Sequence, residues 1–209
     1  MARRMLVGDD PTRATLRAAV EVLRSGRIVA YPTDTLYGLA VDPRQDAAVA
    51  RLCRVKGRAR AAGVPLIAVN LRQVESCLGA LPPLGRRLAR RFWPGPLTLV
   101  FEPEAALAPG MHAGDGSLAV RVPRCALARR LADLSGHPIT ATSANRGGTT
   151  PAATGREVVA VLGSAVALVL EQTGRLTGAA STIVDARGVR PALIRDGAVP
   201  WDRVLQSLA

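Results

Sequence analysis

Ile28-Val29-Ala30-Tyr31-Pro32-Thr33-Asp34-Thr35-Leu36-Tyr37-Gly38-Leu39 is the stretch whose reading decides the fold. Ile28 to Tyr31 makes a short buried strand that runs into Pro32, where a ladder donor is lost. Upstream, Asp10 and Pro11 read as the N-cap and first position of a helix. Leu16, Val20 and Leu23 supply its apolar stripe and Gly26 its stop. Downstream, Asp42 with Pro43 opens a second helix that carries Val49, Leu52 and Cys53 and delivers Lys56 just past its end. A strand set between helices is the building unit of an α/β sheet.

The alternation continues along the chain without a repeat or a linker. Strands are expected at 66–69, 97–101, 118–122, 139–142, 167–170, 182–184 and 192–194. Helices are expected at 84–92, where the pattern is basic and amphipathic, and at 127–134, 158–162 and 202–208. Some strands are adjacent in sequence, so the sheet is mixed. The expected fold class is α/β in the broad, mixed α+β sense: one domain over residues 1–209, a twisted mixed sheet flanked by helices.

Composition narrows the function. Of 209 residues, 48% are hydrophobic and 21% charged, which suits a packed core and excludes a disordered chain. A formal net charge of +12 points to anionic partners: nucleic acid, nucleotides, phosphates or an acidic surface. Cys53, Cys77 and Cys125 are odd in number and show no C-x-x-C spacing, so neither a disulfide framework nor a zinc site is indicated. His112 and His137 lack partners at ligand spacing and read as solvated loop histidines, and no metal site is expected. Residues 1–6 are not followed by a long apolar stretch. The longest apolar run, 158–170, is interrupted by Gly163 and Ser164 and is too short to span a bilayer. A cytoplasmic protein with no membrane association is expected.

Four segments gather hydroxyls and cations at strand ends, where open α/β sheets place ligands. Thr33, Asp34 and Thr35 cap a turn, or the threonine hydroxyls and exposed backbone hold a small polar substrate. Lys56-Gly57-Arg58 is either a solvated basic loop or a clamp for phosphate oxygens. Lys56 is the only lysine beside 27 arginines, and a compact ammonium differs physically from a planar fork, which favours the clamp. From Ser117, Leu118 and Val120 alternate with Ala119 and Arg121, so Arg121 lies on the face opposite Leu118, Val120 and Val122. There it meets either an acidic residue at the sheet edge or a carboxylate or phosphate ligand. Thr140-Ala141-Thr142-Ser143-Ala144-Asn145, running into Arg146-Gly147-Gly148, makes either a tight turn or, through Ser143 and Asn145, a set of donors for a nucleotide. Ser181 to Asp185 and Ile194 to Gly197, with Arg195, repeat the pattern of hydroxyl followed by cation.

In order, PTDTLYGL (32–39), KGR (56–58), VRVP (120–123), TSAN (142–145), STIVD (181–185) and IRDG (194–197) resemble the YrdC family, whose main members are L-threonylcarbamoyladenylate synthases. The resemblance covers about 26–197. It implies a twisted mixed sheet around a basic concave site, and a nucleotidyltransferase that joins L-threonine, bicarbonate and ATP into threonylcarbamoyl-AMP plus pyrophosphate. A downstream transferase complex then places the threonylcarbamoyl group on the tRNA adenosine next to the anticodon.

Residue by residue, the resemblance makes Thr35, Arg121, Ala141 (through its backbone) and Ser181 the L-threonine contacts. Lys56 and Arg58 become the catalytic cations over the phosphates. Ser117, Ser143, Asn145 and Arg195 join them on the ATP side, with Mg2+ arriving on the ATP. The chain departs from the pattern at Ala59, where a proline is common, at Val69 in place of a histidine, and at Ala180 in place of a glutamate. The competing readings are an RNA-binding module, for which weak tRNA binding is expected from the charge, and a divergent ATP-binding homologue without threonine specificity.

Overall fold

The computed structural model describes residues 2–8, 11–57, 63–176 and 178–208. The chain opens with β1 (Arg3–Val7), α1 (Arg13–Arg24), β2 (Val29–Tyr31) and β3 (Gly38–Ala40). Next come α2 (Asp46–Lys56), β4 (Leu66–Ile67), α3 (Leu71–Leu78) and α4 (Pro83–Phe92). The middle carries β5 (Leu97–Phe101), β6 (Leu118–Arg121), α5 (Ala126–Ser135), β7 (Ile139–Thr140) and β8 (Thr142–Ser143). It closes with α6 (Gly155–Leu162), β9 (Leu168–Gln172), β10 (Thr182–Asp185), β11 (Ala192–Arg195) and α7 (Trp201–Gln206). The mixed α/β class is as expected.

Local chemistry moves two helix starts. Asp10 lies outside the described residues, and α1 begins after Thr12, whose extended backbone lets its hydroxyl accept from Thr15 N at 3.2 Å. The helix then buries Leu16, Ala19, Val20 and Leu23 on one face, as the stripe requires. Asp42 and Pro43 do not open α2. The Asp42 carboxylate accepts from Arg44 N at 3.0 Å, a side-chain-closed turn that competes with the helix, so α2 starts at Asp46. Lys56 is the last residue of α2, which Gly57 ends in the left-handed region at φ 57°. β1, β3, α3 and β8 were not foreseen. β1 is mostly exposed, and β3 and β8 are only two or three residues long; α3 does carry an apolar stripe, Leu71, Val74 and Leu78, over only eight residues.

The single expected sheet is two: β1-β9-β2-β3-β8 and β11-β10-β5-β6-β4-β7. β7 pairs antiparallel with β4, β8 pairs antiparallel with β3, and one residue, Ala141, separates β7 from β8. The chain thus crosses between the sheets at 140–142. Thr140, fully buried, ties the seam: its hydroxyl donates to Leu39 O at 3.0 Å and accepts from Val41 N at 2.8 Å. α1 and α5 pack together over β2 and β9, with Leu16, Val20, Leu131 and Leu168 in one core. A larger core takes Leu52 of α2, Leu88 of α4, Leu66 of β4, Leu99 and Phe101 of β5 and Val158 of α6.

His137 is not a solvated loop residue. It is 9% exposed, with Nε2 3.4 Å from the Asp42 carboxylate and Nδ1 2.9 Å from Pro138 O. Arg44 forks onto the same carboxylate at 2.8 and 3.0 Å. Burial pushes the Asp42 carboxyl up, but the His137 and Arg44 hydrogen bonds outweigh it and hold the group below the usual carboxylate range. Among the described residues no helix is long and apolar enough to cross a membrane.

Candidate functional site

A cleft of about 190 Å³ opens at the seam between the sheets. Strand alternation explains the floor. Leu118 and Val120 of β6 and Val122 just after it turn into the core, so Arg121 projects from the other face, 6% exposed, in register with Ile67 of β4. The turn between β2 and β3 supplies Thr35, and the crossing between β7 and β8 supplies Ala141 and Ser143. Ser181 comes from the residue before β10 and Arg195 from the end of β11. Six expected site residues, distant in sequence, therefore line one cavity.

The hydroxyls and cations are linked. Thr33 Oγ1 accepts from Thr35 N at 3.1 Å and Leu36 N at 3.2 Å, and it meets Thr35 Oγ1 at 2.9 Å, which fixes the turn. Arg121 Nη2 lies 3.5 Å from Thr35 Oγ1 and 3.7 Å from an Asp34 carboxylate oxygen. Ser181 Oγ meets Thr98 Oγ1 at 2.9 Å, while Arg195 donates to Ser181 O at 2.7 and 3.1 Å and to its hydroxyl at 3.1 Å. Desolvation in the cleft, then the like charge of Arg121, lowers the Arg195 guanidinium from its ordinary value. Two cations thus face one space, a field suited to anions.

A second hollow of about 430 Å³ adjoins the first and shares Pro65, Ile183 and Arg195 with it. Ser117 lies here. Its N and Oγ donate to Asp115 at 3.1 and 2.6 Å, and Asp115 in turn accepts from Arg187 at 2.8 Å. The Ser117 hydrogen bonds, with Arg187 behind them, lower the Asp115 carboxyl to about 2.

Lys56 and Asn145 line neither space. Lys56 is 3% exposed, and its ammonium donates to Ser143 O at 2.7 Å, Asn145 O at 2.8 Å, Ser143 Oγ at 3.3 Å and Asn145 Oδ1. These acceptors converge on one point from several directions. The three N–H groups of a tetrahedral ammonium, one of them shared between two acceptors, can meet them, whereas the planar, diverging fork of an arginine cannot. That geometry accounts for the one lysine among the arginines. Ser143 Oγ also donates to Asn145 Oδ1 at 2.6 Å, and Gly147 N to Lys56 O at 2.9 Å, so the end of α2 is stapled to the segment behind Ser143. Arg58, the other expected cation of the pair, lies outside the described residues, as does Ala59. Of the other departures, Val69 donates its N–H to Gln73 Oε1 at 2.9 Å, and Ala180 lines the first cleft.

The sequence reading gave Asp34 no role beyond capping its turn, and it did not single out Thr98, Asp115 or Arg187. Only Asp34 carried a local signal, its place between two threonines. Gly197 was read only within its motif, yet it has a packing role. A Cβ there would stand 2.3 Å from Ala180 O and 2.6 Å from the Ser181 carbonyl carbon, so no side chain fits where the chain crosses the Ser181 backbone. Among the described residues no group of three or more His, Cys, Asp and Glu is placed to hold a metal ion.

With this geometry in hand, known proteins place the chain. The Sua5/YciO/YrdC family model, described as "telomere recombination", matches residues 21–197. The chain belongs to the Sua5/YciO/YrdC family. Within it, a threonylcarbamoyl-AMP synthase of Thiobacillus denitrificans is 42% identical over 151 residues, which are 70% of this chain and 78% of the relative. One from Chromohalobacter salexigens is 40% identical over 178 residues, 85% of this chain and 90% of the relative. The crystal structure of Pyrococcus abyssi Sua5 complexed with L-threonine superimposes with a TM-score of 0.91 at 29% identity. That match covers 98% of this chain, which spans 60% of the Pyrococcus chain.

Proposed function

We propose that the chain is a threonylcarbamoyl-AMP synthase, joining L-threonine, bicarbonate and ATP into threonylcarbamoyl-AMP and pyrophosphate. The observation that carries this reading is the seam cleft, where Thr35, Arg121, Ala141, Ser181 and Arg195 converge in a family whose curated relatives bear that name. In this reading Arg121 takes the threonine carboxylate. Thr35, Ser181 and the Ala141 backbone orient the rest of the amino acid. The neutral threonine amine attacks bicarbonate to give the carbamate and water. A carbamate oxygen then attacks the α-phosphorus of ATP, and pyrophosphate leaves.

Every reactant brings negative charge, so the protein's contribution is to hold the reactants together and neutralise them; no enzyme nucleophile is required. Arg195, shared by the two spaces, is the cation at the junction of amino acid and nucleotide, and Ser117 marks the nucleotide side. Arg58 is assigned to the phosphates by resemblance, and Mg2+ travels with the ATP as part of that substrate. Lys56 enters through Ser143 and Asn145, whose positions it sets. The adenylate is then handed to a transferase complex that modifies tRNA next to the anticodon.

The test is incubation of purified protein with Mg·ATP, bicarbonate and a panel of amino acids, following pyrophosphate and identifying the adenylate by mass spectrometry. Pyrophosphate release that requires both L-threonine and bicarbonate supports the reading. ATP turnover that needs neither, or no turnover, refutes it.

A further inference from the structure

Among the described residues, three buried side-chain atoms have no hydrogen-bond partner: both carboxylate oxygens of Asp34 and Nη1 of Arg121. They belong to neighbouring side chains, 14% and 8% exposed, whose closest charged atoms are 3.7 Å apart. An ion pair so enclosed and so loosely joined is a poor device for stability, because most of its hydration is lost while the hydrogen bonds that would repay it are missing. Such a group calls for another explanation.

The surroundings supply one. The Thr33 hydroxyl pins the backbone that follows Asp34 through Thr35 N and Leu36 N. Gly178 presses on the same turn from outside; a Cβ on it would stand 2.6 Å from Asp34 O. The turn is therefore fixed, and its carboxylate sits beside Arg121 but outside the lining of the cleft that Arg121 enters. Arg195 lines the same cleft and feels the like charge of Arg121, so the two cations repel across it. With no negative charge at its back, the Arg121 guanidinium would be driven from Arg195 and from its buried slot toward water. With Asp34 there it stays, and the loose spacing leaves one guanidinium nitrogen for another acceptor.

We propose that Asp34 is a positioning residue for the amino-acid substrate, acting through Arg121 by holding its guanidinium in the cleft with Nη1 reserved for the substrate carboxylate. This rests on the synthase reading given above.

The test compares wild type with Asp34→Asn, which keeps the shape and removes the charge, and Asp34→Ser, a smaller polar variant. Calorimetry measures binding of L-threonine and of L-threoninol, which lacks the carboxylate, alongside steady-state kinetics and the melting temperature. The expected result is a threonine affinity and KM weakened about tenfold or more, as for loss of one member of a buried charge pair. Threoninol binding, the ATP KM and kcat should each change by less than about threefold. Equal weakening of both ligands, threonine binding within about threefold of wild type, or failure of both variants to fold would each overturn the proposal. Wild type that forms no adenylate and binds neither ligand would instead overturn the synthase reading, so the two failures are distinguishable.

Discussion

Lys56→Arg keeps the charge and, on a solvated basic loop, would cost almost nothing. The structure predicts a large effect. The ammonium is enclosed and committed to Ser143 O, Asn145 O, Ser143 Oγ and Asn145 Oδ1. A guanidinium is wider and its donors diverge, so it overfills the site at about 1–3 kcal/mol. It also forfeits at least one charge-assisted bond, worth about 1.5–3 kcal/mol. The sum is about 4 kcal/mol, which for a chain of this size lowers Tm by about 10 °C. Differential scanning calorimetry and urea titration measure it, with Lys56→Met as the reference that removes every bond. Synthase activity should fall as well, because Ser143 lines the cleft and moves with its anchor. A Tm within about 2 °C of wild type and unaltered kinetics for Lys56→Arg would refute the argument that convergent acceptors demand a lysine.

Three further outcomes follow from the same geometry. Thr140→Val keeps the shape and removes both bonds at the seam, so urea titration should show a loss of about 2–3 kcal/mol; a change below about 0.5 kcal/mol would mean that the sheets are held elsewhere. Gly197→Ala forces the Ser181 backbone away from its crossing partner, and the threonine KM should rise about tenfold; an unchanged KM would separate Ser181 from substrate. Asp42 has a folded-state pKa below its unfolded value. Its contribution is therefore fully present above the unfolded value, near pH 4, and is lost as pH falls through the folded one. Stability measured from pH 5 to pH 2 should decline, and Asp42→Asn should flatten that decline; an equal slope in both proteins would exclude Asp42 as its source.

Much of this protein was legible along the chain, because the features concerned are local. The stripe of Leu16, Val20 and Leu23 names the buried face of α1, and the alternation from Leu118 to Val122 names the free face that carries Arg121. The hydroxyl-rich strand ends marked six residues that do line one cleft. The helix starts were misplaced where a side chain captured a backbone N–H, as Asp42 does with Arg44, because that competition depends on conformation and not on period.

What only the tertiary structure decided is which groups face one another. Lys56 and Ser143 are 87 positions apart, and nothing in either neighbourhood says that the ammonium is buried on that carbonyl instead of waiting in solvent. His137 belongs with Asp42, and Asp34 stands behind Arg121, for the same reason. Periodicity records how each segment meets water. It carries no record of which distant segment excludes that water, and burial against a particular partner is what turns a basic or acidic side chain into an anchor, a counter-charge or a ligand.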